Sequence, residues 1–160
     1  MFPEAADLGR VLVARGLRIG VAESCTGGLL GAVLTSVPGS SRYVEGGVIA
    51  YSNRVKTTVL GVDAGLIAEH GAVSEEVARA MALACLPRLD VDVGIAITGV
   101  AGPAADDTRR PAGLIYVAVT VATAETTLLV QRLDGDRGRE VNRVGAVRAA
   151  IHLCADALTA

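Results

Sequence analysis

Apolar residues along the chain follow two spacings, one helical and one typical of short buried strands. Helical spacing, together with the flanking caps and breakers, predicts three helices over residues 3–15, 29–37 and 54–60. It also predicts a fourth helix that begins after Ser74 and a last helix from about residue 138 to residue 158. Short apolar runs predict strands over residues 17–22, 46–51 and 91–98 and a hairpin of 114–123 with 126–133.

Helices and strands alternate through the first half of the chain, and the hairpin follows before the last helix. This order predicts an α/β fold, a single three-layer α/β/α domain with a mixed sheet. The 160 residues are enough to bury one core, and no linker divides them, so we expect one domain over residues 1–160.

Composition excludes several classes of function. The net charge is −2 and the chain has one Phe, three Tyr and no Trp, which argues against a nucleic-acid partner. No apolar run approaches the roughly 20 residues of a membrane span, and the start MFPEAADLGR lacks the plan of a signal peptide, so we expect a cytoplasmic protein without a membrane partner. Three distant cysteines and two histidines predict neither a disulfide framework nor a metal site.

Three polar clusters stand where predicted strands end, at residues 23–28, 51–56 and 98–103. Ligands of open α/β sheets bind at the carboxyl ends of the strands. We therefore expect these clusters to form one site.

Ser24 lies in the stretch AESCTGG, at the predicted start of a helix. Free N–H groups there can hold an oxyanion or a phosphate, and glycines let a ligand approach the backbone. The alternative is that Ser24 or Thr26 only caps the helix. A Walker-type phosphate loop is excluded because its GxxxxGK[ST] pattern is missing.

A serine nucleophile needs a base, and the two histidines are poor candidates. His152 lies opposite the apolar stripe of its helix, and His70 precedes Gly71 in a predicted turn without an orienting acid near it in sequence.

Lys56 is the only lysine among 15 cationic residues and follows the second predicted strand. It acts as the base if burial or a nearby cation such as Arg54 lowers its pKa, or it stays charged and Tyr51 takes the proton. Cys25 is a weaker alternative nucleophile, since the start of a helix lowers the pKa of a thiol.

The remaining polar residues leave alternatives open. Glu23 either orients Lys56 or pairs with an arginine. Thr98 either binds substrate or closes a turn, and residues 106–110 are interpreted as a solvated loop tip. Arg137 precedes the last helix, where it binds an anion or forms a surface contact.

Five ordered motifs resemble those of the CinA C-terminal domain family, the nicotinamide mononucleotide deamidases. They are AESCTGG, GGVIAYSNRVK, HGAVSEEVA, AITGVAGP and GDR, and the likeness runs from about residue 8 to residue 158. The amino-terminal domain of full-length CinA proteins is not part of this sequence, so the chain is similar to the stand-alone amidohydrolase form.

The resemblance implies hydrolysis of the carboxamide of nicotinamide mononucleotide to nicotinate mononucleotide and ammonia, without metal or other cofactor. The catalytic roles then fall on Ser24, Tyr51 and Lys56. The substrate, a small nucleotide, is expected to contact the remaining site residues: Cys25, Thr26, Gly27, Gly28, Thr98, Gly99, Gly102 and Arg137.

One segment departs from the family pattern. Residues 104–110 read AADDTRR where the family carries a glycine-rich turn, which bears on substrate preference more than on reaction type. A non-catalytic module that binds a nucleotide or a partner in competence or the DNA damage response is the alternative function. A homodimer formed through the last helix is a further expectation.

Overall fold

The computed structural model describes residues 2–160 and contains six α-helices, one 3₁₀ turn and five strands in that range. The helices are α1 (Pro3–Arg15), α2 (Leu29–Thr35), α3 (Asn53–Thr58), α4 (Ala64–His70), α5 (Glu75–Leu89) and α6 (Arg139–Thr159). The strands are β1 (Ile19–Glu23), β2 (Val44–Ile49), β3 (Val93–Gly99), β4 (Ile115–Val121) and β5 (Thr127–Leu133), and the 3₁₀ turn is Ser40–Arg42.

The five strands form one mixed sheet in the order β2-β1-β3-β4-β5. Strand β1 pairs in parallel with β2 and β3, whereas β4 runs antiparallel to both β3 and β5. The chain passes from β1 outward to β2 and then across to β3 on the other side of β1. The strand order thus reverses beside β1, and such a point leaves a crevice at the carboxyl ends of the strands.

The two faces of the sheet carry separate cores. On one face Val93, Ile95 and Ile97 of β3 pack with buried residues of α1, α2 and α6. On the other face Ala96 packs with buried residues of α5 such as Met81. The predicted three-layer α/β/α fold with a mixed sheet is confirmed.

The short helix α4 was not predicted from the sequence. Asp63 caps it by accepting a hydrogen bond from Gly65 N–H, and only Ile67 of its seven residues is buried. One buried residue gives no helical period. His70, expected in a turn, is instead the last residue of this helix.

Helix α5 begins as predicted, with the Ser74 hydroxyl accepting a hydrogen bond from Val77 N–H. The edge strand β2 begins and ends two residues before its predicted bounds. Its end at Ile49 leaves Ala50 and Tyr51 in the connection to α3, which places them at the crevice. Among residues 2–160, no helix has the length and apolar character that crossing a bilayer requires.

Candidate active site

A cavity of about 460 Å³ opens at the carboxyl ends of the parallel strands. Its walls come from the segments after β1 and β2, from α4 and the segment that follows it, from the loop between β3 and β4 and from the start of α6. Ser24, Tyr51, Lys56, Thr98 and Gly99 all line it. The structure therefore brings together the three clusters that the sequence placed at strand ends.

Ser24 and Lys56 are in direct contact. The Lys56 Nζ lies 3.0 Å from the Ser24 Oγ. Helix α3 sets this position: Ser52 caps it by accepting a hydrogen bond from Val55 N–H at 3.2 Å, and Lys56 is its one buried residue. With 2% and 7% of their surfaces exposed, Lys56 and Ser24 meet in a largely water-free setting.

The Lys56 amine has two further contacts. It donates to the carbonyl of Ala50 at 2.8 Å and to that of Tyr51 at 3.3 Å. Burial lowers the pKa of Lys56 from 10.5 to about 8, and no carboxylate lies among its partners in the described chain. A neutral amine can keep its two hydrogens on these carbonyls, which leaves its lone pair for the proton of Ser24.

Tyr51 contributes its backbone rather than its phenol to this contact. The Tyr51 carbonyl lies 3.5 Å from the Ser24 Oγ. Its side chain is 59% exposed, and the hydroxyl accepts a hydrogen bond from Arg139 Nη2 at 3.3 Å. Within residues 2–160, no hydrogen bond joins the phenol to Ser24 or Lys56. Of the two bases considered from the sequence, Lys56 is the one in contact with Ser24.

The first turn of α2 is not free to bind an anion, so the expected anion-binding role of the helix start is wrong for Gly28 and the residues after it. The buried carboxylate of Glu23 accepts hydrogen bonds from Gly28, Leu30 and Gly31 N–H at 3.2, 3.0 and 2.8 Å. Of these three donors, only Gly28 is among the expected substrate contacts. Glu23, for which the sequence left open contact with Lys56 or an arginine, is bonded to neither within residues 2–160. Its carboxylate instead interacts with the partial positive charge at the start of α2.

The turn before α2 still contains two unpaired donors. Gly27 N–H is bound to the Ser24 carbonyl at 3.0 Å, but in the described chain no acceptor contacts the N–H groups of Cys25 and Thr26. Of residues 25–28, only Cys25 lines the cavity, whereas Gly28 lies in a separate groove beside Ile49 of β2. The N–H groups of Gly27 and Gly28 thus have acceptors within the protein, and the expected substrate contacts at these two residues are wrong for their backbone donors.

Cys25 is not an activated nucleophile. Burial raises the pKa of its thiol from 9.0 to about 11, against the lowering expected from the start of a helix. The nearby cations Lys56, Arg143 and Arg139 oppose this rise only in part. A thiol in this state is protonated at neutral pH.

The strand β3 and the following loop form the opposite wall. Thr98 is buried and donates its hydroxyl to the Ala72 carbonyl at 2.7 Å, so it braces the segment before α5 as well as lining the cavity. Gly102 also lines the cavity, and its carbonyl accepts from Arg139 Nη1 at 2.7 Å.

The loop of residues 104–110 is more than the solvated tip expected from its charges. Ala104, Ala105, Asp106, Asp107 and Thr108 all line the cavity. The Asp106 carboxylate accepts hydrogen bonds from Thr108 and from Arg110 N–H, which braces the loop internally. The segment that departs from the family pattern is therefore a wall of the site.

Arg139, rather than Arg137, is the arginine at the cavity. Arg137 lies in a separate groove with Gly113 and Asp134. Helix α6 begins at Arg139, which bridges Gly102 and Tyr51 at the mouth of the cavity. Arg137 lies just before α6 and Arg139 is its first residue, so the sequence could not tell which of the two side chains reaches the cavity without the exact start of the helix.

Neither histidine lines the cavity. His152 is exposed on α6. The expectation that no acid lies near His70 in sequence is wrong, since its ring lies 3.6 Å from a carboxylate oxygen of Glu76 and 3.7 Å from one of the adjacent Glu69. A histidine-based triad at Ser24 is excluded by this placement.

Comparison with known proteins identifies the family of this chain. Residues 3–158 match the family model described as the CinA C-terminal domain. A CinA-like protein of Synechococcus sp. (strain CC9902) is 50% identical over 146 residues, which are 91% of this chain and 35% of that protein. A putative competence-damage inducible protein of Halothermothrix orenii is 46% identical over 133 residues, 83% of this chain and 32% of that protein.

Solved structures give the same result. A competence-damaged protein (CinA) superfamily protein from Klebsiella pneumoniae 700603 has a TM-score of 0.89 at 34% identity, covering 98% of this chain and 96% of that one. A competence/damage inducible protein from Agrobacterium tumefaciens has a TM-score of 0.88 at 34% identity, with the same coverage. The chain spans about a third of the length of the curated relatives it matches. The chain belongs to the family of the CinA C-terminal domain.

Proposed function

We propose that this chain is an amidohydrolase that converts nicotinamide mononucleotide to nicotinate mononucleotide and ammonia, with Ser24 as the nucleophile and Lys56 as its base. The 3.0 Å contact between the Lys56 amine and the Ser24 hydroxyl is the observation that carries the proposal. Family membership supports it, because the sequence resemblance to the deamidases covers the same residues.

In the first half of the reaction, neutral Lys56 takes the proton of Ser24 while the Oγ attacks the carboxamide carbon. The N–H groups of Cys25 and Thr26, which have no other acceptor in the described chain, are the donors available to the developing oxyanion. Protonated Lys56 then transfers its proton to the amide nitrogen, the carbon–nitrogen bond breaks and ammonia leaves.

In the second half, water attacks the nicotinoyl ester on Ser24, and Lys56 takes a proton from that water. The same proton returns to the Ser24 oxygen as the ester bond breaks, and nicotinate mononucleotide is released. The two halves need only groups of this chain and water.

The nucleotide part of the substrate needs a second anion site. Arg139 provides one: it is exposed at the cavity mouth, and its hydrogen bonds within residues 2–160 go to the neutral Gly102 carbonyl and Tyr51 hydroxyl. Its charge is therefore available to a 5′-phosphate. Tyr51, bonded to this arginine, is assigned to the substrate-binding mouth of the cavity.

The test is release of ammonia from nicotinamide mononucleotide by the purified chain. Ser24→Ala should abolish turnover, and wild-type turnover in that variant would show that the nucleophile is wrong. Lys56→Arg keeps the positive charge but removes the neutral base, so we expect a loss of at least ~100-fold. Arg42→Lys is the matched control for the exchange of cations, since Arg42 lies in a separate groove with Tyr43 and does not line the cavity.

A binding module without turnover is the alternative, and the names of relatives as competence-damage inducible proteins support it. Saturable binding of the nucleotide without any product would favour this alternative. A pure binding module gives no reason for a buried amine held against a serine hydroxyl, and we therefore favour the enzyme.

A further inference from the structure

Arg143 has an unusual set of partners for a half-buried arginine. From the second turn of α6, its Nε donates to the Cys25 carbonyl at 3.2 Å and its Nη2 donates to the Thr26 carbonyl at 2.8 Å. In the described chain, no carboxylate forms an ion pair with it. The guanidinium is therefore bonded to two consecutive peptide groups beside Ser24, and no carboxylate in residues 2–160 neutralises its charge through an ion pair.

These contacts determine where the free donors of the turn point. In a trans peptide the C=O and the N–H lie on opposite sides of the bond. Because the Cys25 carbonyl faces Arg143, the N–H of Thr26 in the same peptide points away from Arg143. The preceding peptide is oriented by Gly27 N–H, which donates to the Ser24 carbonyl, and the N–H of Cys25 points the other way.

The charge of Arg143 also acts on these peptides electrostatically. A cation bound to a carbonyl polarises its peptide and makes the N–H of that peptide a stronger donor. Hydrogen bonds from a charged donor are about twice as strong as neutral ones, and a fork on two carbonyls restricts geometry as well.

We infer that Arg143 is a positioning residue that builds the oxyanion site of the proposed hydrolase by holding the Cys25 and Thr26 carbonyls behind the Ser24 turn. The inference rests on the proposed function as far as Ser24 is the nucleophile. It does not depend on which amide is the substrate. Arg143 itself is not among the residues that line the cavity.

The test uses a small fluorophosphonate, which reacts with a serine nucleophile and places a phosphonyl oxygen where the oxyanion would lie. Labelling of Ser24 is followed by intact mass in wild type, Arg143→Ala and Arg143→Lys, and ammonia release is measured in parallel. Arg148→Ala is the matched control, since this arginine of the same helix bonds to Glu4 of α1 and not to the turn.

We expect Arg143→Ala to lower the labelling rate and kcat on the order of 10- to 100-fold at unchanged KM, because one missing oxyanion donor alone costs ~100- to 1,000-fold. Free guanidinium should restore part of the rate in this variant. The pH midpoint of labelling should stay as in wild type, because Arg143 does not touch Lys56. Arg148→Ala should behave as wild type.

The inference would be overturned if folded Arg143→Ala were labelled at the wild-type rate. It would also be overturned if the loss in labelling rate came from a shift in the pH midpoint of labelling. If Arg143→Ala does not fold, Arg143→Lys decides: it reaches one carbonyl only, and a wild-type rate there overturns the inference too. If wild-type Ser24 is labelled but nicotinamide mononucleotide is not hydrolysed, the proposed function fails and the inference stands. If wild-type Ser24 is not labelled, both fail.

Discussion

At the scale of single residues, burial of Lys56 lowers the pKa of its amine, so that a useful fraction of the amine is neutral near pH 7 and can accept a proton. Lowering its pKa from 10.5 to about 8 raises the fraction of neutral amine at pH 7 roughly 300-fold. The reason is that the amine loses water without gaining a carboxylate. An exposed lysine at the same distance from Ser24 would remain protonated and inactive as a base.

The first prediction is the pH dependence of the proposed reaction. Only the neutral amine accepts the proton of Ser24, so kcat/KM should rise as pH increases through about 8 and then level off. Initial rates between pH 6 and pH 10 measure this limb. A rate that does not change between pH 7 and pH 9 would contradict the role of Lys56.

The second prediction concerns Tyr51→Phe. Because the phenol contacts Arg139 and not Ser24, we expect a fall in kcat/KM of no more than about tenfold, expressed mainly in KM. Steady-state kinetics with nicotinamide mononucleotide provide the measurement. A loss in kcat comparable to that of Lys56→Arg would instead assign the proton transfer to the phenol.

At the scale of elements, the turn between β1 and α2 is organised by Glu23. Its carboxylate binds three N–H groups at the start of α2, so the last residue of a strand caps the next helix. This leaves the intervening residues, Ser24 to Gly27, in a fixed turn. A rigid turn is what a nucleophile and its oxyanion donors require.

The third prediction follows from this cap. Glu23→Gln removes the charge and weakens three hydrogen bonds, so the free energy of unfolding should fall by about 1–2 kcal/mol. Chemical denaturation measures the change, and Glu45→Gln is the control, since Glu45 is an exposed partner of Arg18. Equal, small effects of both substitutions would show that the cap contributes little.

At the scale of the whole molecule, close contact between the sheet and α5 depends on Gly94 of β3. A Cβ on Gly94 would lie 2.3 Å from the Ala82 carbonyl oxygen of α5 and 2.9 Å from the Cys85 Cβ. The helix therefore rests on the backbone of the central strand, which itself leads into the site at Thr98. The same strand therefore sets both the packing of α5 on the sheet and the position of the cavity wall at Thr98.

The fourth prediction compares two glycines of the sheet. Gly94→Ala should lower the free energy of unfolding by about 1–3 kcal/mol, because α5 must move away from β3. Gly46→Ala on the edge strand β2 meets no atom within 4 Å and should be neutral or slightly stabilising. Thermal or urea unfolding distinguishes them, and the reverse order would show that α5 does not pack on Gly94.

The sequence by itself determined the order of elements, the mixed three-layer fold and the meeting of Ser24 with Lys56 at the strand ends. These features follow from local properties: apolar period, caps, breakers and the rule that parallel strands end at one edge. Helix α4 was not predicted because its single buried residue, Ile67, does not produce a helical spacing of apolar residues.

Only the tertiary structure decided which atoms meet. It showed that Glu23 occupies the start of α2, that Tyr51 offers its carbonyl rather than its phenol to Ser24, and that Arg139 reaches the cavity instead of Arg137. Each of these depends on the direction of a side chain or peptide group relative to a distant segment. Such directions are set by packing across the whole domain, which local spacing along the chain does not encode.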